Sequence, residues 1–238
     1  MATGCTSSRP EPLRKVAAGR FADPVAVRLL RDAERVPVIL GAGLDTRAWR
    51  LTGLAHTDVW EVDHPASQQD KRARLTEAAA TAELPPAARS VRFTPVDFAV
   101  DDLGAALDAA GHDPSAPTTW LWEGVVPYLT RDEVRTTLAT LAARTAPGST
   151  LVVNYQSPSA KATVGRLLTR VLGNSVTRGE PWRSLWKQRQ LAALLAEHGW
   201  SVASDDDLLT VAHSLGSPTR GRSSLRSGRV AVAETAHG

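Results

Sequence analysis

Two glycines and a carboxylate at a fixed spacing carry the first chemical signal. In Val38-Ile39-Leu40-Gly41-Ala42-Gly43-Leu44-Asp45-Thr46-Arg47 an apolar run enters a Gly-x-Gly turn and then a helix start, and Glu61-Val62-Asp63 closes a second apolar run about twenty residues after the glycines. Glycines let backbone approach a ligand, and a carboxylate at the neighbouring strand's end accepts hydrogen bonds from ribose hydroxyls. The pattern points to an adenosine-bearing cofactor. A dinucleotide fingerprint wants a third glycine three residues after Gly43, yet position 46 is Thr46. Asp45 also puts negative charge where a pyrophosphate needs the positive end of a helix. S-adenosylmethionine carries a sulfonium and an ammonium and no phosphate, so the loop suits a methyl donor better than a nicotinamide. A tight strand-to-helix turn without a ligand is the plainer reading of the loop taken alone.

The elements that must position these residues alternate as strand and helix, in the manner of a parallel sheet with crossover helices. Strands are predicted at Val36 to Leu40, Asp58 to Val62, Val91 to Val96, Thr119 to Trp122 and Leu151 to Tyr155. Pro65 suits the first turn of a helix ending near Ala82, and Asp101 or Asp102 can cap one running through Ala110. Thr130 with Glu133 reads as a capping box for a helix that stops before Pro147-Gly148. The C-terminal part is predicted to hold a helix around Leu191 to His198, a Gly199 stop, a strand near Trp200 to Ala203, a helix from Asp207 and a last strand at Arg229 to Ala233. Between the fifth strand and the Leu191 helix, Val164, Leu167, Leu168, Val171 and Leu172 share one helical face, and Gly179-Glu180-Pro181-Trp182 then turns toward Trp186. An insertion there would lie over the carboxyl ends of the strands as an acceptor lid; an ordinary packing helix with two core tryptophans is the alternative.

Composition sets the bounds. The 238 residues, 42% hydrophobic and 22% charged, suffice for one sizeable α/β domain with a buried core. Cys5 is the single cysteine, so neither a disulfide framework nor a cysteine-based metal site is expected, and no metal is. No apolar run reaches a membrane span, and Met1 to Pro10 lacks the features of a signal peptide, so a cytoplasmic enzyme is expected. The net charge of +3 comes from scattered arginines. Arg220, Arg222, Arg226 and Arg229 cluster without aromatic interleaving, which reads as a solvated tail and not a nucleic-acid patch.

Taken in order, Leu40 to Arg47, Glu61-Val62-Asp63-His64-Pro65, Pro95-Val96-Asp97-Phe98, Glu123-Gly124-Val125-Val126-Pro127-Tyr128-Leu129-Thr130 and Pro147-Gly148-Ser149 resemble the leucine carboxyl methyltransferase family, which includes bacterial polyketide O-methyltransferases. The resemblance spans positions 36 to 235. It implies a Rossmann-like class I methyltransferase fold, α/β, with a mostly parallel seven-stranded sheet and helices on both faces. It also implies S-adenosyl-L-methionine as cofactor, with Gly41 and Gly43 beside its methionine part, Asp63 on both ribose hydroxyls, Asp97 on the adenine amino group, Phe98 over the ring and Glu123 facing the ammonium. Arg47 would contact the donor carboxylate or pair with Asp45 or a neighbouring loop. His64, next to Pro65, orders a turn. Tyr128, Tyr155, Trp182 and Trp186 are the candidate acceptor-side residues, although buried tyrosines with satisfied hydroxyls are at least as common. No residue stands out as a catalytic base.

The chain departs from the family pattern in one place. Relatives carry a longer helical region between an Asp-Pro segment, here Asp23-Pro24-Val25-Ala26, and the glycine strand, including an arginine that binds the donor carboxylate; here only Val27 to Pro37 intervenes. Arg28, Arg31 and Arg35 are nearby candidates for that role. The domain expectation is therefore a shortened N-terminal helical segment at 1–35 and a methyltransferase domain at 36–238, with the lid at about 158–186. Methylation of a carboxylate needs no general base because the acceptor is already ionised at neutral pH, whereas a phenol or alcohol usually needs one. The leading expectation is an O-methyltransferase acting on a carboxylate or hydroxyl of a small, polyketide-type molecule, as a monomer or homodimer without nucleic-acid or membrane partners. A fold-retaining S-adenosylmethionine-binding or regulatory protein with little turnover is the alternative, and a nicotinamide oxidoreductase the third reading.

Overall fold

A computed structural model of the protein describes residues 35–81, 85–158, 182–214 and 227–235. The strands are β1 (Val36–Leu40), β2 (Asp58–Asp63), β3 (Ser90–Pro95), β4 (Thr118–Trp122), β5 (Thr150–Gln156), β6 (Trp200–Asp207) and β7 (Gly228–Thr235). The helices are α1 (Arg47–Arg50), α2 (Pro65–Thr81), α3 (Leu103–Ala109), α4 (Arg131–Ala143), α5 (Gln188–Glu197) and α6 (Leu208–Ser214). Short 3₁₀ turns at Thr52–Leu54 and Val126–Tyr128 complete the set. The expected segment 1–35, apart from Arg35, lies outside the described residues, as do most of the expected lid, Cys5, and Arg220, Arg222 and Arg226.

The strands form one sheet in the order β3-β2-β1-β4-β5-β7-β6. Pairs among β1 to β5 are parallel, while β7 runs antiparallel to both β5 and β6. The sheet is thus mixed: it has the seven strands expected, is parallel from β3 through β5, and confines its antiparallel pairings to β7. The strand order reverses between β1 and β4, because the chain adds β2 and β3 on one side of β1 and then β4 and β5 on the other; such a switch opens a crevice at the carboxyl ends of the strands.

Side-chain alternation builds two apolar layers. Val38, Leu40, Trp60, Val62, Trp120, Trp122, Leu151 and Val153 point to one side, where Leu107 of α3, Leu138 and Leu141 of α4 and Leu195 of α5 cover them. Ile39, Val59, Leu121 and Val152 point to the other, against Ala48 of α1, Leu54 and Leu208 of α6. All five residues of β4 are buried, as a central strand covered on both faces requires. Trp120 satisfies its indole N–H on Thr145 Oγ1 at 3.0 Å.

Local signals set most boundaries. The Thr130 and Glu133 capping box forms in both directions, at 3.2 and 2.8 Å. Asp102, not Asp101, caps α3 by accepting from Ala105 N at 3.0 Å. β6 extends four residues beyond its expected end at Ala203. The register shifts between Val202 and Ser204, and pairing with β7 then carries Ser204 to Asp207 as strand although their composition is that of a loop. No helix among the described residues is long and apolar enough to cross a membrane.

Candidate functional site

Register places the key residues in one row. Leu40 of β1 stands opposite Val62 on one side and Trp122 on the other, so Gly41, Asp63 and Glu123 all follow that row at the carboxyl end of the sheet. Val62 O accepts from Gly41 N at 2.8 Å and from Ala42 N at 3.1 Å, which turns the loop across the end of β2. Gly43 N then donates to Asp63 Oδ2 at 2.6 Å, and His64 N to Asp63 Oδ1 at 2.7 Å. Gly41 and Gly43 have φ of 69° and 44°, a conformation that favours glycine. A Cβ on Gly41 would also lie 1.8 Å from Val125 Cγ2. The side chain excluding one there belongs to the loop after β4, not to a ligand.

Arg47 ties the glycine loop to β4. Its backbone N donates to Asp45 Oδ1 at 2.7 Å, and its guanidinium pairs with Asp45 Oδ2 at 3.0 Å and with Glu123 Oε2. The residue is only 4% exposed, and a charge buried so deeply needs such partners. Of the two expected roles for Arg47, the structure shows the pairing with Asp45 and a neighbouring loop. Arg35, by contrast, donates from Nε to Gly148 O at 2.7 Å and precedes β1 at the opposite end of the sheet. That corrects its candidacy for the donor carboxylate. Arg28 and Arg31 lie outside the described residues.

The third carboxylate arm is Asp97. Val96 N donates to Asp63 O at 2.8 Å, which sets the chain after β3 beside the end of β2. Asp97 Oδ1 accepts from Ala99 N at 3.0 Å, and its Oδ2 lies 3.7 Å from His64 Nε2. His64 Nδ1 accepts from Ala66 N at 3.2 Å, so the imidazole orders the first turn of α2, as expected. Phe98 packs half-buried against the larger core layer.

Beneath the loop lies a pair that motif reading missed. Lys71 Nζ of α2 sits 2.5 Å from Glu61 Oε2 of β2, with both side chains buried. The ammonium also stands 5.0 Å from the centroid of the Trp49 ring in α1. Burial pushes the Glu61 carboxyl up to about 7, Lys71 opposes the shift, and the nearby charges of Asp45 and Asp63 add to it. A helical lysine ten residues after a strand glutamate was the available signal; it reads as surface charge until α2 folds back over β2.

The acceptor-side candidates divide. Tyr128, at the end of the Val126–Tyr128 3₁₀ turn, is exposed and Trp182 is half-buried. Tyr155 is buried, donating from its hydroxyl to Asp205 Oδ2 at 2.7 Å and accepting from Arg229 Nε at 3.1 Å. Trp186 is buried too, with its indole N–H on Ser184 Oγ at 3.2 Å and the Arg131 guanidinium 4.2 Å from its ring centroid. Both spend their polar atoms on internal contacts. Residues 182–187 instead brace the loop after Glu123: Arg183 N and Ser184 N donate to Pro127 O at 2.7 and 3.2 Å, and Ser184 Oγ to Val126 O at 2.9 Å. A cleft between α5 and the β6 and β7 pair, lined by Ala196, Trp200 and Glu234 among others, contains none of the candidate residues.

Electrostatically the crevice has an acidic surplus. Asp45, Asp63, Asp97 and Glu123 surround it with Glu61 beneath, against the buried cations Arg47 and Lys71. Such a balance disfavours a pyrophosphate and suits a ligand with cationic groups.

The family model of leucine carboxyl methyltransferases matches residues 9–142. A protein of Mycolicibacterium paratuberculosis, provisionally named an S-adenosyl-L-methionine-dependent methyltransferase, is 40% identical over 185 residues, covering 75% of this chain and 56% of its own length. A Mycobacterium tuberculosis protein with the same provisional name is 38% identical over 177 residues, covering 71% and 53%. The chain therefore spans about half the length of the curated relatives it matches. Among solved structures, magnesium protoporphyrin IX methyltransferase from Synechocystis, with bound SAH, superposes with a TM-score of 0.57 at 16% identity, covering 94% of this chain and 83% of its own. A SAM-dependent methyltransferase from Methanosarcina mazei gives 0.58 at 11% identity, covering 90% and 98%. At these identities the likeness concerns the fold, which is that of class I methyltransferases.

Proposed function

The chain belongs to the leucine carboxyl methyltransferase family, and from that premise we propose that it is an S-adenosylmethionine-dependent O-methyltransferase acting on a small molecule, with a carboxylate as the preferred acceptor. The observation that carries the reading is the row of Gly41, Asp63 and Glu123 across the switch point of the sheet, set in an acidic surplus. When bound, S-adenosylmethionine supplies an electrophilic methyl group on a sulfonium. Asp63 accepts from the ribose hydroxyls with the lone pairs left after its bonds to Gly43 N and His64 N. Asp97 accepts from the adenine amino group, Phe98 flanks the ring, and Glu123 with Asp45 faces the cationic end. Arg47 holds those last two carboxylates in place.

The residues' largest contribution to rate is positional: they hold the donor so that an acceptor oxygen attacks opposite the departing sulfur, away from water. An ionised carboxylate attacks without losing a proton, which fits a crevice where His64 is committed to the α2 turn. Tyr128 and Trp182 remain the acceptor-side candidates, and a polyketide-type acid is the acceptor class proposed.

Titration calorimetry with S-adenosylhomocysteine and with NAD tests the cofactor, and transfer of labelled methyl to a panel of small carboxylic acids and phenols tests the activity. Micromolar binding of the former and label in an ester product are expected. NAD binding in its place would overturn the cofactor. Donor binding without turnover on any panel member would favour the alternative reading of a non-catalytic binder, to which the existing engagement of Glu123 by Arg47 lends some support.

A further inference from the structure

The Glu61 and Lys71 pair has no role in holding the sheet that two apolar residues would not fill as well, since a buried ion pair costs desolvation that its attraction barely repays. Its place is specific. Glu61 stands opposite Ile39 of β1 and Phe93 of β3, so uncharged neighbours flank it within the sheet. Lys71 reaches it from α2, Gln68 Nε2 binds its backbone carbonyl at 3.1 Å, and Asp45 and Asp63 act on it from the glycine loop and the strand end. Glu61 Oε1 is buried and has no hydrogen-bond partner among the described residues. Lys71 in turn faces Trp49 on α1, the helix that carries Arg47. The pair thus joins β2, α2 and α1 directly below the loop that the donor reading assigns to the cofactor.

We propose that Glu61 and Lys71 are positioning residues of the donor site, and that the protonation state of this pair sets how strongly the site prefers the cationic donor over its uncharged-sulfur product. The inference rests on the donor-site reading above. With Glu61 ionised the pair is neutral and the carboxylates of Asp45 and Asp63 dominate the local field. With Glu61 protonated, the Lys71 charge beneath the loop is uncompensated and opposes a sulfonium. S-adenosylhomocysteine lacks that sulfonium charge, so its binding responds less. Because burial places the Glu61 carboxyl at about 7, the change falls in the neutral range. Linkage requires the reciprocal effect: capture of the cationic donor expels a proton from Glu61, and departure of the methyl cation's charge weakens hold on the product.

Titration calorimetry of S-adenosylmethionine and S-adenosylhomocysteine at pH 6 and pH 8 tests this, with two buffers of different ionisation enthalpy to count protons. In the wild-type chain the affinity ratio of donor to product should rise at least about fivefold between the two pH values, with proton release on donor binding. In Glu61→Gln the ratio should stay flat while S-adenosylhomocysteine still binds. If Glu61→Gln does not fold, the double variant Glu61→Gln with Lys71→Met removes the orphaned ammonium and should show the same flat ratio. A wild-type ratio independent of pH overturns the inference alone. So does a rise that persists in either variant. Absence of binding by both ligands at both pH values instead defeats the donor reading itself.

Discussion

Gly43 donates its backbone N–H to Asp63 Oδ2 at 2.6 Å, so the glycine loop and the end of β2 form one unit before any ligand arrives. Asp63 is therefore both a loop anchor and the group proposed to hold ribose, and a substitution that separates the two is informative.

Asp63→Ala removes the loop anchor and the ribose acceptor together, whereas Asp63→Asn keeps a neutral acceptor. A charge-assisted hydrogen bond is typically worth about 1.5 to 3 kcal/mol. Donor affinity should fall on the order of ten- to a hundredfold in Asp63→Ala, with a smaller loss in Asp63→Asn. Calorimetry on both folded variants measures this, and unchanged affinity in Asp63→Ala would remove the ribose assignment.

Arg47→Gln leaves Asp45 and Glu123 without their shared buried cation. Breaking one side of a buried pair costs about 3 to 5 kcal/mol. Urea unfolding should show a loss of that order at neutral pH, shrinking as acid neutralises the two carboxylates. A loss below about 1 kcal/mol would mean that solvent already screens the trio.

Gly41→Ala meets two obstacles, a φ of 69° and the Val125 methyl 1.8 Å from the new Cβ. The backbone obstacle alone is of order 1 to 3 kcal/mol. Adding Val125→Ala should recover the steric part only. Equal stability of single and double variants would show that the φ requirement alone dictates this glycine.

His112 gives stability a pH slope away from the site. Its ring is buried between Trp60 and Trp120, shares a hydrogen bond between Nε2 and Thr118 Oγ1 at 3.2 Å, and is held down to about 4 by burial and by Arg144. The unfolded chain takes up a proton below about 6.5 while the folded chain does not, so stability falls as pH drops from about 6.5 to 4. The full loss is on the order of 3 kcal/mol. Glu61 acts with the opposite sign, since its raised value favours the folded state on protonation below about 7. His112→Gln should therefore abolish the acid-side loss and expose the Glu61 gain, read as urea midpoints between pH 4 and 7. An unaltered slope would show that His112 protonates as readily folded as unfolded.

The sequence by itself determined the elements whose signals are local. β1 begins and ends where the apolar run Val36 to Leu40 does, and α4 starts at the Thr130 and Glu133 box, because backbone donors at a helix start are satisfied by side chains three residues away. The row of Gly41, Asp63 and Glu123 was equally legible, since each follows a strand in an ordered parallel array. Only the tertiary structure decided what those residues face. The reversal of β7 depends on which edge is open when it arrives, and the extension of β6 through Ser204 to Asp207 depends on β7 being there to pair with. The sharing of Arg47 between Asp45 and Glu123 spans 76 positions, and the burial of Lys71 on Glu61 requires α2 to fold over β2. A charge's partner, and with it the protonation of a buried carboxyl, is set by distance and solvent exclusion in three dimensions, and neither is written in the spacing of residues along a chain.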